Sequence, residues 1–255
     1  MKSSLVKLQN VNVALATSHG APVKVLNNVT LGVEEGSFLS ILGPSGCGKS
    51  TLLRIMADLL KPNEGRCEWR PGLLEKRGVA MAMNFQKPVL LPWHTVEQNA
   101  LLPFRLSNET VTDVCLERLV KLLKMVGLYG FRNALPSELS GGMQMRAVFV
   151  RTFLSNPSLV FMDEPFSALD EVTRNRLGYE LRQLAKRTGT TIVFVTHSIQ
   201  EAVFLSTRVV LMSPRPAHIV EDMEIDLPET REEQLRRTPH FLDLCDHLQR
   251  RIAHG

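Results

Sequence analysis

Gly43-Pro44-Ser45-Gly46-Cys47-Gly48-Lys49-Ser50-Thr51 spaces its glycines, lysine and hydroxyls as G-x-x-x-x-G-K-[ST]. In that spacing the glycines let backbone N–H groups turn onto phosphate oxygens, and the start of the next helix adds the positive end of its dipole. Lys49 is expected to reach the β- and γ-phosphates, and the Ser50 hydroxyl to ligate Mg²⁺. The competing description is a glycine-rich turn with a chance Lys-Ser. The flanking runs argue against it, because an apolar strand-like segment (Phe38 to Leu42) precedes the loop and a helix-like one (Leu52 to Leu60) follows it.

Two further constellations have chemical potential. Leu159-Val160-Phe161-Met162-Asp163-Glu164 is an apolar run ending in two carboxylates. After a phosphate loop, such a strand end sets Asp163 near the metal and leaves Glu164 to polarise an attacking water. Leu139-Ser140-Gly141-Gly142-Met143 leads into a helix-like run, Gln144 to Leu154, and a hydroxyl with two glycines at a helix start is a second design for holding phosphate. Standing alone, these segments also read as an acidic turn and a helix cap.

The elements that must position these groups follow from periodicity. Residues 5–13 and 23–33 have strand character, clearest in the alternation Val29, Leu31, Val33. Val79 to Met83, Leu159 to Met162, Thr191 to Val195 and Arg208 to Met212 are apolar almost throughout, as strands covered on both faces of a parallel sheet are. Leu177, Leu181 and Leu184 form a helical stripe, and Ser198-Ile199-Gln200-Glu201 reads as a capping box. Between about 87 and 155 prolines break the chain at 88, 92 and 103. Val114 to Val126 then carries Leu116, Leu119, Val120 and Leu123 at helical spacing, which predicts a helical subdomain inserted in an α/β core. Thr230-Arg231-Glu232-Glu233 reads as another capping box before a charged helical tail. The expected division is a core of 1–86 and 156–225, a helical subdomain of 87–155 and a tail of 226–255.

Composition narrows the class. The 255 residues are 44% apolar and 22% charged, enough for a large core. The formal charge of +4 is spread along the chain without a block of like charges, so no nucleic-acid partner is expected. Cys47, Cys67, Cys115 and Cys245 are far apart and share no ligand-like spacing, which suits reduced thiols in a cytosolic protein. The N-terminal residues lack a signal-peptide core, and no apolar run approaches the roughly 20 residues a bilayer span needs. Any membrane part is therefore expected from other chains.

In order, a phosphate loop, Leu-Ser-Gly-Gly and a strand ending Asp-Glu resemble an ATP-binding cassette (ABC) ATPase over about residues 5–225. The resemblance implies a P-loop NTPase (RecA-like) α/β core with an N-terminal antiparallel β portion and an inserted α-helical subdomain, working on ATP with Mg²⁺. Gln86 matches the family's Q-loop glutamine, which contacts Mg²⁺ and the attacking water. Ser167-Ala168-Leu169-Asp170 matches the D-loop, and His197 the switch histidine. The implied roles are Glu164 as general base, Ser50, Gln86 and Asp163 around Mg²⁺, and Lys49 and His197 on phosphate charge. Ser140, Gly141 and Gly142 complete the site from a second copy in a head-to-tail homodimer.

Leu91-Pro92-Trp93, Met143 and Ser213-Pro214-Arg215-Pro216 are similar to the ATPase subunits of bacterial importers for nitrate, sulfonates, taurine and thiamine precursors. The resemblance implies a peripheral protein on the cytoplasmic face of the inner membrane, docked to permease subunits and served indirectly by a solute-binding protein. Two other readings stand beside it: a soluble ABC ATPase of an assembly complex, such as iron–sulfur assembly, and a cassette that binds ATP without turnover. Three positions depart from the family. Between Val11 and Val25 only His19 offers a ring to stack on adenine, Met143 replaces the signature's usual Gln, and Asp58 stands where Gly is frequent, tolerable because Asp accepts the left-handed conformation.

Overall fold

The computed structural model describes residues 4–17, 20–74 and 80–254. His19 and Val79 lie outside the described residues. In chain order the elements are β1 (Ser4–Thr17), β2 (Gly20–Glu34), β3 (Phe38–Leu42), α1 (Lys49–Met56), β4 (Glu64–Trp69), β5 (Met81–Asn84), α2 (Val96–Ala100), α3 (Leu102–Leu106), α4 (Asp113–Met125), α5 (Gly141–Leu154), β6 (Leu159–Asp163), α6 (Glu171–Thr188), β7 (Thr191–Val195), α7 (Ile199–Leu205), β8 (Arg208–Met212), β9 (Ile219–Glu224) and α8 (Pro239–His254). They fall into two compact units, Met1–Pro71 with Thr191–Gly255, and Gly72–Thr190.

In the first unit β1 pairs antiparallel with β2 on one side, Leu8 opposite Leu31, and with β4 on the other, Leu8 opposite Cys67. The alternating residues that predict these strands bury one face, including Leu8, Val11, Val29, Leu31 and Val33. The second layer has β3 between β7 and β8, both parallel to it, with β9 antiparallel outside β8. All five residues of β3 and of β7 are buried, which is why these runs read as continuous apolar stretches. The one hydroxyl in β3, Ser40, is satisfied by Ser206. Burying a Phe or Ile here contributes about 1.5–3 kcal/mol each, and Phe38 and Phe194 add a tilted ring contact at 5.8 Å.

In the second unit β5 and β6 run parallel, Asn84 beside Met162. α5 buries Met145, Ala147, Val148, Phe149, Val150, Phe153 and Leu154, an almost all-round apolar helix against α2 and α4. Arg146 reaches back from α5 and donates to the Val126 carbonyl just past α4, at 2.7 Å. α6 begins on the Asp170 cap and ends at Gly189, whose φ of 68° is the left-handed turn that stops helices.

The periodicity places most elements within a few residues of where they lie, with four corrections. The helix after the phosphate loop ends at Met56 rather than Leu60: Trp69 Nε1 donates to the Met56 carbonyl and Asp58 takes a φ of 55°. The buried stripe of α4 is Cys115, Leu119, Leu122 and Leu123, whereas Leu116 is exposed and Leu184 of α6 is only half-buried. Thr230 caps no helix; a 3-10 turn starts at Glu233 after Glu232, and Arg231 is drawn inside instead. Finally, β4 and β9 are strands of charged, alternating composition that the apolar-run criterion passes over.

Candidate nucleotide site

The phosphate loop joins β3 to α1 in the first unit. Gly43 has φ 156°, and a Cβ there would sit 2.9 Å from the Met212 carbonyl oxygen. Gly48, at φ 130°, would put a Cβ 2.9 Å from Val25. Both positions therefore require glycine on conformation and on space. Between them Cys47 N–H donates to the Pro44 carbonyl at 3.3 Å, and Lys49, a residue only 5% exposed, donates from its ammonium to the Gly43 and Pro44 carbonyls at 2.8 and 2.9 Å. Pro44, Ser45 and Gly46 line the outer side, and Ser50 and Thr51 are in the first turn of α1. The result is a cradle of N–H groups with one buried cation, suited to a polyphosphate.

His197 belongs to the same unit and is exposed. β7 pairs Val195 with Ile41 of β3, and Thr196 N–H donates to the Ile41 carbonyl at 3.3 Å, which brings His197 to the end of the sheet where the phosphate loop begins. Ser198 then caps α7, its hydroxyl accepting from Glu201 N–H at 3.3 Å, one half of the expected capping box, while the Ser198 N–H donates to the Thr196 hydroxyl at 3.0 Å. The Glu201 carboxylate takes the Thr196 hydroxyl at 2.6 Å, tightening the turn around His197.

The other sequence-predicted residues lie in the second unit. Asp163 is buried at the end of β6 and Glu164 is half-buried just beyond it. Glu164 has φ 46°, the left-handed region that a non-glycine residue enters at a cost of order 1–3 kcal/mol. Ser167 holds that backbone in place, donating from its N–H at 3.2 Å and its hydroxyl at 3.0 Å to the Glu164 carbonyl. The Gln86 side-chain amide donates to Glu164 Oε2 at 3.3 Å. Two residues 78 positions apart are thus brought together by the parallel pairing of β5 and β6.

Ser140 is the N-cap of α5, its hydroxyl accepting from Met143 N–H at 3.3 Å. Met143 thus serves through its backbone, while the neighbouring Gln144 amide holds the lead-in turn, donating to the Pro136 carbonyl at 2.9 Å. Gly141 is exposed and Gly142 half-buried, and a Cβ on Gly142 would come within 3.1 Å of Leu169 in the segment after Glu164. Ser140 to Gly142 therefore present a hydroxyl and helix-terminal N–H groups outward.

A family model described as "ABC transporter" matches residues 26–167, over half of the chain. The chain belongs to the ABC transporter ATPase family. An uncharacterized ABC transporter ATP-binding protein of Methanocaldococcus jannaschii is 44% identical over 88% of this chain and 83% of its own. The taurine import ATP-binding protein of Rhizobium johnstonii is 36% identical over 98% and 97%. An aliphatic sulfonates import ATP-binding protein of Pseudomonas syringae pv. tomato is 42% identical over 84% and 86%. Among solved structures, a dimeric ATP-binding cassette in a post-hydrolysis state with ADP and Pi superposes with a TM-score of 0.77 at 31% identity, over 88% of this chain and all of that one. The fold is the P-loop NTPase fold of these cassettes, and ATP is the nucleotide the family binds and hydrolyses.

In this ABC ATPase two buried amides escape the sequence reading. Asn99 is fully buried and donates to the carbonyls of Leu91, His94 and Thr95 while accepting from Leu91 N–H at 2.8 Å. It fixes the turn that carries Trp93, which is 69% exposed and so is not a packing residue. Asn84, two residues before Gln86, is 1% exposed, and among the described residues neither its amide nitrogen nor its oxygen has a partner. An Asn in a strand-like run signals nothing by itself; only the burial reveals either role. Burial pushes the Cys67 thiol up to about 12 and the Cys245 thiol up to about 11, which disfavours the reactive thiolate at both. No helix among the described residues is long and apolar enough to cross a membrane.

Proposed function

We propose that this ATPase powers an importer for a small organic solute of the taurine and sulfonate type. Two copies dimerise head to tail around two Mg-ATP at the cytoplasmic face of a bacterial inner membrane, with separate permease subunits and a solute-binding protein. The observation that carries the catalytic part is the Gln86 to Glu164 hydrogen bond, since it aims a carboxylate on a strained backbone through the residue that leads into the helical region. Glu164 takes the proton of the attacking water, and Gln86 orients Glu164. Lys49 and the loop N–H groups hold the β- and γ-phosphates, and His197 meets the γ-phosphate from the same sheet end. Mg²⁺, when bound, neutralises phosphate charge, and Ser50, Asp163 and Gln86 are the oxygen donors suited to it. Ser140, Gly141 and Gly142 serve the nucleotide on the other copy. Residues 1–86 and 156–225 act as the core, 87–155 as the signature-bearing subdomain and 226–255 as the tail.

The import reading is supported by the names of the taurine and sulfonate relatives and by the exposed apolar side chains beyond Gln86. Trp93 at 69% and Val89 at 53% are surfaces a permease would cover. The soluble assembly reading has no comparable observation behind it. Purification of the tagged full-length chain from detergent-solubilised membranes tests the choice. Hydrophobic permease subunits are expected to co-purify and to be lost with Trp93→Asp; recovery with a soluble scaffold complex instead would overturn the import reading.

A further inference from the structure

Arg231 is the largest fully buried side chain among the described residues, 1% exposed, in a segment that the pattern of the sequence assigns to a helix cap. Its guanidinium lies at the end of α7. Nη1 donates to the carbonyls of Val203 at 2.6 Å and Phe204 at 2.7 Å, and Nε to the Pro228 carbonyl at 3.2 Å. Those two carbonyls are in the last turn of α7, where helical partners run out and where a cation is favoured by the helix dipole. The same end of α7 is held twice more: Arg236 stacks over the Phe204 ring at 4.0 Å, and Phe241, buried in α8, meets it edge-on at 6.5 Å.

The opposite end of α7 carries His197. α7 has seven residues and spans only about 10 Å, so about two helical turns separate the Arg231 end from His197. At its start Ser198 caps it and Thr196 is tied to Glu201. A shift of the Arg231 end is therefore passed to the turn holding the His197 backbone.

We infer that Arg231 is a positioning residue for His197, and that the chain after β9 clamps α7 so that His197 is held for phosphate contact. This rests on the reading of His197 as the residue that meets the γ-phosphate. A purely structural Arg231 would support the unit as a whole; a positioning Arg231 works only while His197 is there to be positioned.

The test compares kcat, the ATP dissociation constant and the melting temperature of the full-length chain for Arg231→Gln, His197→Ala and the double variant, assayed well below each melting point. Arg231→Gln is expected to lower kcat about tenfold with ATP affinity within about twofold, and the double variant to match His197→Ala alone. Arg231→Lys, which retains the cation and can still donate, is expected to recover part of the rate, and it supplies the same comparison should Arg231→Gln not fold. If the Arg231 substitution costs the same factor in the His197→Ala background, or costs nothing in the wild type, the inference is overturned. Wild-type kcat in His197→Ala would remove the reading of His197 itself, and the inference with it. An inactive His197→Ala beside a normal Arg231→Gln would sink the positioning role alone.

Discussion

The Gln86 amide donates to Glu164 Oε2 at 3.3 Å, joining the segment after β5 to the strained residue after β6. Ser167 fixes the Glu164 carbonyl while Gln86 engages one carboxylate oxygen. The bond ties the carboxylate to a segment leading into the helical part of the second unit.

Gln86→Leu removes this donor while leaving the phosphate loop intact. We expect kcat at saturating Mg-ATP to fall about tenfold or more, with the affinity for ATP measured without Mg²⁺ nearly unchanged, because the lost amide serves Glu164 and Mg²⁺ rather than the nucleotide itself. Steady-state hydrolysis together with a nucleotide-binding titration checks it. A raised KM at constant kcat would mean that Gln86 serves binding and not the base.

The outward-facing Ser140 cap predicts a composite site. Ser140→Arg should leave ATP binding by the single chain intact while blocking dimerisation and hydrolysis. Sedimentation in a Glu164→Gln background with ATP reads this out: dimer for the parent, monomer for the double variant. Hydrolysis unaffected by Ser140→Arg would contradict a site shared between copies.

Asn84 carries a desolvation cost that an apolar residue of similar shape would not. Phe149, Phe166 and Leu177 line a small, partly open apolar pocket beside it, with room for about one water. Asn84→Leu is therefore expected to stabilise the chain by about 1–3 kcal/mol, a rise of roughly 2–4 °C in Tm per kcal/mol at this size. A drop in Tm would contradict a net desolvation cost at Asn84.

Asp170 caps α6 by accepting Thr173 N–H at 2.9 Å, and backbone hydrogen bonds, Thr173's first, hold its carboxyl below the usual range. For Glu221 burial pushes the other way, but hydrogen bonds and charge from His247 and Arg251 outweigh it and leave the carboxyl lowered. A depressed folded value means that the contribution is complete above the ordinary values of 3.8 and 4.5 and is lost as pH falls through the lower folded ones. Melting curves between pH 6 and 2.5 should show acid destabilisation that is weaker in Asp170→Asn. An unchanged acid limb would contradict the cap's contribution.

The sequence makes legible whatever rests on local backbone demands. Gly43 and Gly48 announce a loop that no Cβ fits, and the apolar runs of β3, β6 and β7 announce strands covered on both sides. What it hides depends on distant contacts. The partners of Asn99 and Arg231 lie in turns and helix ends that no periodicity marks, and β9 is held by Arg208 to Asp222 ion pairing at 2.5 Å on a strand that reads as polar. The false capping box at Thr230 shows the same limit: the spacing is right, but Arg231 between its members is buried and donates to the Val203 and Phe204 carbonyls.

The role of Glu164 as the base of ATP hydrolysis is tested by Glu164→Gln, which keeps shape and hydrogen bonding while removing the basic carboxylate. Single-turnover hydrolysis by the full-length variant should fall by about 10²–10⁴, with ATP still bound and the dimer accumulating in its closed form. Hydrolysis at the wild-type rate in that variant would contradict the account.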